Sequence, residues 1–326
     1  MKKNVVLFKS LPKDQEMRLA EAFNLTKIDG SSSEIIQANQ DVIRQADGMI
    51  GVGMSTPVND EFLSYAPNVK AFSTISVGFD NYNLADLKNR GIRLMNTPTV
   101  LTEATADLVF TLLMTTARRT VELANLVEQK QWKTNIVDNH YGTDVFGKTI
   151  GILGMGRIAK AIVKRAHCGF DMNVIYYNRS AHPDVEQKYN AVRCELDEVL
   201  KQADFVVVML PLNAETDCLI TKEKLALMKP SAFLINGARG RIIDEKALIE
   251  ALQNGVIKGA GLDVFEVEPL PTDSPLIGMK NVVLSPHVGS ATHETRYAMA
   301  VCAVDNLIAA LQSNPPTENW VNPEVG

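Results

Sequence analysis

Cysteine, histidine and aromatic side chains are scarce in this chain: 4 Cys, 5 His, 2 Trp and 6% aromatics in 326 residues. Cys168, Cys194, Cys218 and Cys302 are far apart and form no C-x-x-C pair. No histidines fall at matching distances, so a zinc site and a disulfide framework are both disfavoured. Reduced thiols in a cytoplasm are the expectation. Excess positive charge is also missing, since 33 Lys and Arg face 38 Asp and Glu, a net charge of −5. That excludes a broad nucleic-acid-binding face but not a pocket for a single phosphate. Long hydrophobic runs are absent as well. The stretch 108–117 is bounded by Asp107 and by Arg118 with Arg119, well short of the ~18 apolar residues of a membrane span. The four apolar residues Val5 to Phe8 are too few for a signal-peptide core. Neither membrane association nor secretion is expected.

What is present is core material. Hydrophobic residues make up 46% of the chain and charged residues 22%, at a length that suits two domains of about 150 residues each. Short apolar runs at 5–8, 48–52, 70–75 and 92–95 alternate with helical stretches at 13–23, 59–65 and 83–90. This alternation implies a parallel sheet covered on both faces, with ligands gathered beyond the strands' carboxyl ends. A long helical pattern follows Pro98, from about Thr102 to Lys130, capped by Thr102 and about 40 Å long at 1.5 Å per residue. A second, larger alternation then runs through 149–153, 173–178, 204–210, 232–236, 259–264 and 282–284. The apolar helical run from Ala291 to Leu311, followed by a tail from Pro315 to Gly326, is expected to return to the first domain. The predicted fold class is α/β, with two Rossmann-like or flavodoxin-like parallel-sheet domains and an active-site cleft between them. Residues 1–98 and 291–326 form the substrate-binding domain, and 99–290 form the dinucleotide-binding domain.

Two phosphate-binding patterns occur. Gly142-Thr-Asp-Val-Phe-Gly147-Lys148-Thr149 fits the P-loop expression, but polar residues precede it and an apolar strand follows. A P-loop needs a strand before and a helix after, so this segment reads as a connector. Gly154-Met155-Gly156-Arg157-Ile158-Ala159 fits G-x-G-x-x-G/A in the required strand–turn–helix context. The first glycine permits the turn, the second lets backbone approach a pyrophosphate, and the small Ala159 allows close packing. An Asp or Glu about 20 residues on would hold a ribose 2′-hydroxyl. Asn178 stands there instead, followed by Arg179 and Ser180, all able to donate to a 2′-phosphate. NADP(H) is therefore expected ahead of NAD(H); the plainer alternative is that Arg179 is a solvated loop residue.

Arg239, Glu268 and His287 each lie just past an apolar strand. Reducing a 2-oxo acid requires a cation for the carboxylate and carbonyl, a proton donor for the developing alkoxide and a group to orient that donor. These residues supply that set. A capping arginine, a surface glutamate and an ordinary histidine remain equally open from residue chemistry alone. His140, His167, His182 and His293 have no comparable setting, and His293-Glu-Thr-Arg-Tyr297 lacks a second zinc-binding histidine, so no metal is expected. Trp132 reads as ordinary packing or as a subunit contact.

Gly151-Ile-Leu-Gly-Met-Gly-Arg-Ile158, Asn236-Gly-Ala-Arg-Gly240, Gly261-Leu-Asp-Val-Phe265 with Glu268-Pro269, and Pro286-His-Val-Gly-Ser290 together resemble the D-isomer-specific 2-hydroxyacid dehydrogenase family. The resemblance covers essentially the whole chain. Ser73-Thr-Ile-Ser-Val-Gly-Phe-Asp80 and Ser290-Ala-Thr-His-Glu-Thr-Arg-Tyr297 are most similar to its glyoxylate/hydroxypyruvate reductase B group, also called 2-ketogluconate reductases. The resemblance implies that Arg239 binds the substrate carboxylate and carbonyl. It makes His287 the general acid/base, hydrogen-bonded by Glu268, and has Val77 and Gly78 hold the carboxylate through their backbone. It also implies cofactor contacts from Thr105, Gly154, Met155, Gly156, Arg157, Ile158, Asn178, Arg179, Ser180, Leu210, Pro211, Thr216, Gly237, Ala238, Arg239, Asp263, His287, Gly289 and Ser290. A Glu partner favours the protonated form of a histidine near neutral pH. The implied activity is NADPH-dependent reduction of glyoxylate, hydroxypyruvate or 2-keto-D-gluconate, with NAD possible and a homodimer as the working form. A D-lactate or phosphoglycerate type of dehydrogenase, or a dinucleotide-sensing interaction protein, are the alternatives.

Overall fold

Apolar runs of three to five residues are too short to bury a helix face, and they pair side by side as strands. In the computed structural model, which describes residues 2–312 and 317–325, twelve strands of two to five residues, most of them apolar, build two parallel sheets. Pro315, Pro316 and Gly326 of the expected tail lie outside the described residues. The chain divides into two units, Met1–Leu101 with Ala291–Gly326, and Thr102–Ser290.

The first unit contains β1 (Asn4–Leu7), β2 (Asn24–Lys27), β3 (Gly48–Ile50), β4 (Ala71–Ser73) and β5 (Arg93–Met95) in the order β2-β1-β3-β4-β5. Every pairing is parallel, the flavodoxin-like order, which reverses between β1 and β3. One face of the sheet, carrying Phe72 of β4, packs on Phe62, Leu63 and Leu87. On the other face, Val5, Leu7, Ile50 and Met95 meet Ala303, Val304, Leu307 and Leu311 of the long His293–Gln312 helix. Ser73 Oγ, fully buried, donates to Ala303 O at 2.8 Å. Asn306 Nδ2 donates to Asn96 O at 2.8 Å. The C-terminal helix is therefore part of the first core.

The second unit contains β6 (Thr149–Leu153), β7 (Asn173–Tyr177), β8 (Val192–Arg193), β9 (Phe205–Val208), β10 (Phe233–Asn236), β11 (Gly259–Leu262) and β12 (Val282–Leu284). Their order is β12-β11-β10-β9-β6-β7-β8, with all neighbours parallel. The order reverses between β6 and β9, the topological switch point at which a doubly wound sheet binds its ligand. The helix over Thr102–Ala117 packs closely because glycines just past β10 and within β11 face it. A Cβ at Gly237 would lie 2.3 Å from Val109 Cγ2, and one at Gly261 2.8 Å from Thr116 Oγ1.

The single helix expected from Thr102 to Lys130 is two helices, Thr102–Ala117 and Thr120–Glu128. Arg119 takes φ 54° between them. Its guanidinium pairs with Glu122 at 2.8 Å and also donates to Asn139 O, which holds the bend. No described helix is long and apolar enough to cross a membrane.

Candidate active site

The G-x-G-x-x-A segment lies at the switch point of the second sheet. Gly154, at the end of β6, has φ 94°, and a Cβ there would strike Met209 O and Leu210 N past the end of β9, at 2.8 and 2.9 Å. Only glycine fits so close a backbone approach. Gly156 caps the Arg157–Phe170 helix without a side-chain hydrogen bond, and a Cβ there would meet nothing within 4 Å. The first backbone N–H groups of this helix have no intrahelical acceptor, and Arg157 and Ile158 stand in its first turn. The residues fit a pyrophosphate held by the helix N-terminus. Ala159 is buried, as the close packing requires. By contrast, Gly147 and Lys148 lead into β6, not into a helix, so the P-loop match is a connector.

Past the end of β7, Asn178 Oδ1 accepts the Met155 N–H at 3.2 Å, joining the glycine turn to the next loop. Its Nδ2 faces Ser180 O at 3.0 Å, Ser180 Oγ at 3.2 Å and His182 Nε2 at 3.0 Å. Arg179 is exposed and stands 3.5 Å from Glu215. Arg193 clasps the loop from β8, donating to Asn178 O at 3.1 Å and to Arg179 O at 3.0 Å. Arg193 was not among the expected site residues, because a two-residue edge strand leaves no apolar run to mark it. On the neighbouring loop, Thr216 Oγ donates to Pro211 O at 2.6 Å and closes the turn after Leu210.

Arg239, Glu268 and His287 are all in the second unit, past β10, β11 and β12. Buried Asn236 shapes the first turn, accepting from Ala238 N–H and donating to Arg239 O, both at 3.0 Å. Arg239 itself donates to Ala238 O at 2.7 Å. Gly240 lies against the next loop so tightly that a Cβ would fall 1.9 Å from the Phe265 carbonyl carbon. In that loop, Glu268 Oε1 accepts from Phe265 N–H at 3.0 Å, and Oε2 lies 2.6 Å from His287 Nδ1. Burial alone would raise the Glu268 carboxyl. The His287 hydrogen bond, the Phe265 N–H and the charges of His287 and Arg239 outweigh it and hold the group below its ordinary value.

His287 has φ 51°, an uncommon conformation for a residue with a Cβ. Asp263 enforces it. The Asp263 carbonyl accepts the His287 N–H at 2.9 Å. Its buried carboxylate accepts Ser285 Oγ–H at 2.6 Å and the N–H groups of Val288 and Gly289, each at 2.9 Å. A carboxylate has about four acceptor positions, so one remains on Oδ2. This anchoring of the histidine turn was not foreseen for Asp263. Gly289 is confined by Thr105 Cγ2, 3.2 Å from where its Cβ would be, and Ser290 shares its turn.

In the first unit, Val77 and Gly78 lie in the loop after β4. Val77 O accepts from Asn96 Nδ2 at 2.9 Å, and Gly78 O accepts from Ser76 Oγ at 2.6 Å. Their carbonyls are engaged, whereas neither N–H has an acceptor among the described residues.

The model of the D-isomer specific 2-hydroxyacid dehydrogenase NAD binding domain matches residues 110–289. Glyoxylate/hydroxypyruvate reductase B of Yersinia pestis is 52% identical over 325 residues, covering 100% of this chain and 99% of the relative. Among solved structures, a glyoxylate reductase from Paecilomyes thermophila aligns with a TM-score of 0.90 at 30% identity, over 100% of this chain and 99% of the other. The NADPH-dependent glyoxylate/hydroxypyruvate reductase from Sinorhizobium meliloti, in complex with NADP and malonate, aligns at 0.86 and 30% identity over 98% of each chain.

Proposed function

The chain belongs to the D-isomer-specific 2-hydroxyacid dehydrogenase family, whose NAD(P)(H)-dependent reaction interconverts small 2-oxo and 2-hydroxy acids. From that premise we propose that it is an NADPH-dependent reductase of glyoxylate, hydroxypyruvate and 2-keto-D-gluconate. The observation that carries the reading is the 2.6 Å Glu268–His287 pair, with the Arg239 charge beside it, at the strand ends of a dinucleotide-binding sheet. The Yersinia and Sinorhizobium relatives are named for glyoxylate and hydroxypyruvate reduction, and the latter for NADPH dependence, which supports the finer assignment.

Gly154 to Ile158 would hold the pyrophosphate and Asn178 to Ser180 the adenosine ribose. When bound, the reduced nicotinamide supplies a hydride for C2 of the substrate. Arg239 pairs with the substrate carboxylate and polarises the carbonyl. As negative charge develops on the carbonyl oxygen, His287 gives it the Nε2 proton, while its Nδ1–H stays on Glu268. The carbonyl becomes an alcohol, and the imidazole is left neutral for reprotonation from solvent.

A panel of glyoxylate, hydroxypyruvate, 2-keto-D-gluconate and pyruvate, each with NADPH and NADH, tests this. Oxidation of NADPH by the first three is expected. Dinucleotide binding without turnover on any member would reject the reductase in favour of a sensor.

The working form is proposed to be a homodimer joined through the second unit. Val127, Trp132, Tyr141 and Phe146 are each more than half exposed, at 54, 60, 58 and 66%. A groove lined by Met114, Leu123 and Val127 adds to this apolar surface. Sedimentation equilibrium should give twice the chain mass, and a monomer at micromolar concentration would refute the assignment.

A further inference from the structure

The strand order of the first sheet reverses between β1 and β3, so this sheet too has a switch-point crevice beyond its carboxyl ends. Lys9 follows β1, Gly51 follows β3 and Ile75 follows β4. A groove of about 510 Å3 opens there, with Lys9, Ile75, His293, Arg296 and Tyr297 among its lining residues, all of the first unit. Gly51 has φ 77°, and a Cβ on it would lie 3.2 Å from both Lys9 Cβ and Ile75 Cδ1. Glycine keeps these neighbours close.

The charges in the groove are unbalanced. No aspartate or glutamate lines it, and Lys9 Nζ and the Arg296 guanidinium have no hydrogen bond or ion pair with any described residue. Elsewhere in the same unit, Arg18, Lys27 and Arg90 each pair with a carboxylate. Asp14, just outside the lining, is already engaged by the Tyr297 hydroxyl at 2.7 Å and by Gln15 Nε2 at 2.7 Å. Burial, and then the field of Arg296, hold the Lys9 ammonium below its ordinary value. Two cations that feel one another at a switch point, without a counter-charge, form a receptor for an anion.

We infer that the Lys9–Arg296 groove binds an anionic group, a carboxylate or a phosphate, of a small ligand.

Titration of the full-length protein with inorganic phosphate tests the groove independently of turnover. Wild type should bind phosphate and gain thermal stability from it. Lys9→Gln and Arg296→Gln should each weaken binding about 10-fold or more, as loss of one charge-assisted bond implies. Circular dichroism reports that each variant is folded. Equal phosphate affinity in all three proteins, or none in wild type, would overturn the inference. A parallel titration with acetate separates carboxylate from phosphate: the anion that the groove takes is the one whose binding both variants weaken. If no 2-oxo acid is reduced while phosphate binding still depends on Lys9 and Arg296, the reaction fails and the anion groove stands.

Discussion

Replacing His287 by Gln lowers kcat by about 10²–10⁴-fold, the range for loss of a positioned general acid, while leaving the fold and NADPH affinity essentially intact. Glutamine has comparable reach and can still hydrogen-bond Glu268, but its amide cannot release a proton to an alkoxide. The backbone at 287 should survive the change. Its left-handed conformation is held by main-chain bonds to Asp263 and Ser285 and by the next two N–H groups on the Asp263 carboxylate, not by the imidazole. Single-turnover rates with hydroxypyruvate, together with NADPH titration by fluorescence, separate chemistry from binding. Turnover near wild type would remove His287 as the acid.

The pH dependence of the orienting partner follows from its environment. The Glu268 carboxyl is held below its ordinary value of 4.5 in the folded protein. A carboxyl depressed in this way contributes stability that is present above its unfolded pKa and is lost as pH falls through its folded pKa. Glu268 therefore stays ionised as an acceptor throughout the neutral range, and its loss belongs to the acid side below 4.5. Its partial exposure keeps the stability effect modest; the larger consequence is for the orientation of His287.

Legibility from sequence followed burial. The strands of the second sheet centre, such as Phe205–Val208 and Phe233–Asn236, are buried at every position and read as apolar runs, the second ending in Asn236. Asn24–Lys27 and Val192–Arg193 are edge strands with mostly exposed side chains, and nothing in their composition marks them. The helix break at Arg119 has neither proline nor glycine. It depends on an ion pair and a carbonyl twenty residues away, and arginine is otherwise a good helix former. The three candidate catalytic side chains were visible because each follows a strand. Their register was not: the Asp263 network, the Gly240–Phe265 approach and the Arg193 clasp all join segments far apart in sequence.

Asn178→Asp should lower kcat/KM for NADPH by about 10- to 100-fold and raise that for NADH. The Asn178 Oδ1 bond to Met155 N–H survives in the variant, since a carboxylate also accepts, so the turn that carries the pyrophosphate contacts is kept. What changes is the Nδ2 side. Donors toward Ser180 and His182 are replaced by an anion that repels a 2′-phosphate and accepts from a ribose 2′-hydroxyl. Loss of one charge-assisted bond, at ~1.5–3 kcal/mol, gives the expected range. The competing effect is the Arg179–Glu215 pair, which must open for Arg179 to meet a phosphate. At 3.5 Å, with side chains 81 and 73% exposed, it is an exposed ion pair of the kind worth about 0–1 kcal/mol. That is smaller than the phosphate bond it would yield to, so the positive charge of Arg179 remains available to the cofactor. Arg179→Ala should therefore weaken NADPH more than NADH, and Glu215→Gln should favour NADPH by no more than about 5-fold. If the NADPH/NADH ratio of kcat/KM is the same in wild type and in Asn178→Asp, the loop after β7 does not select the phosphate.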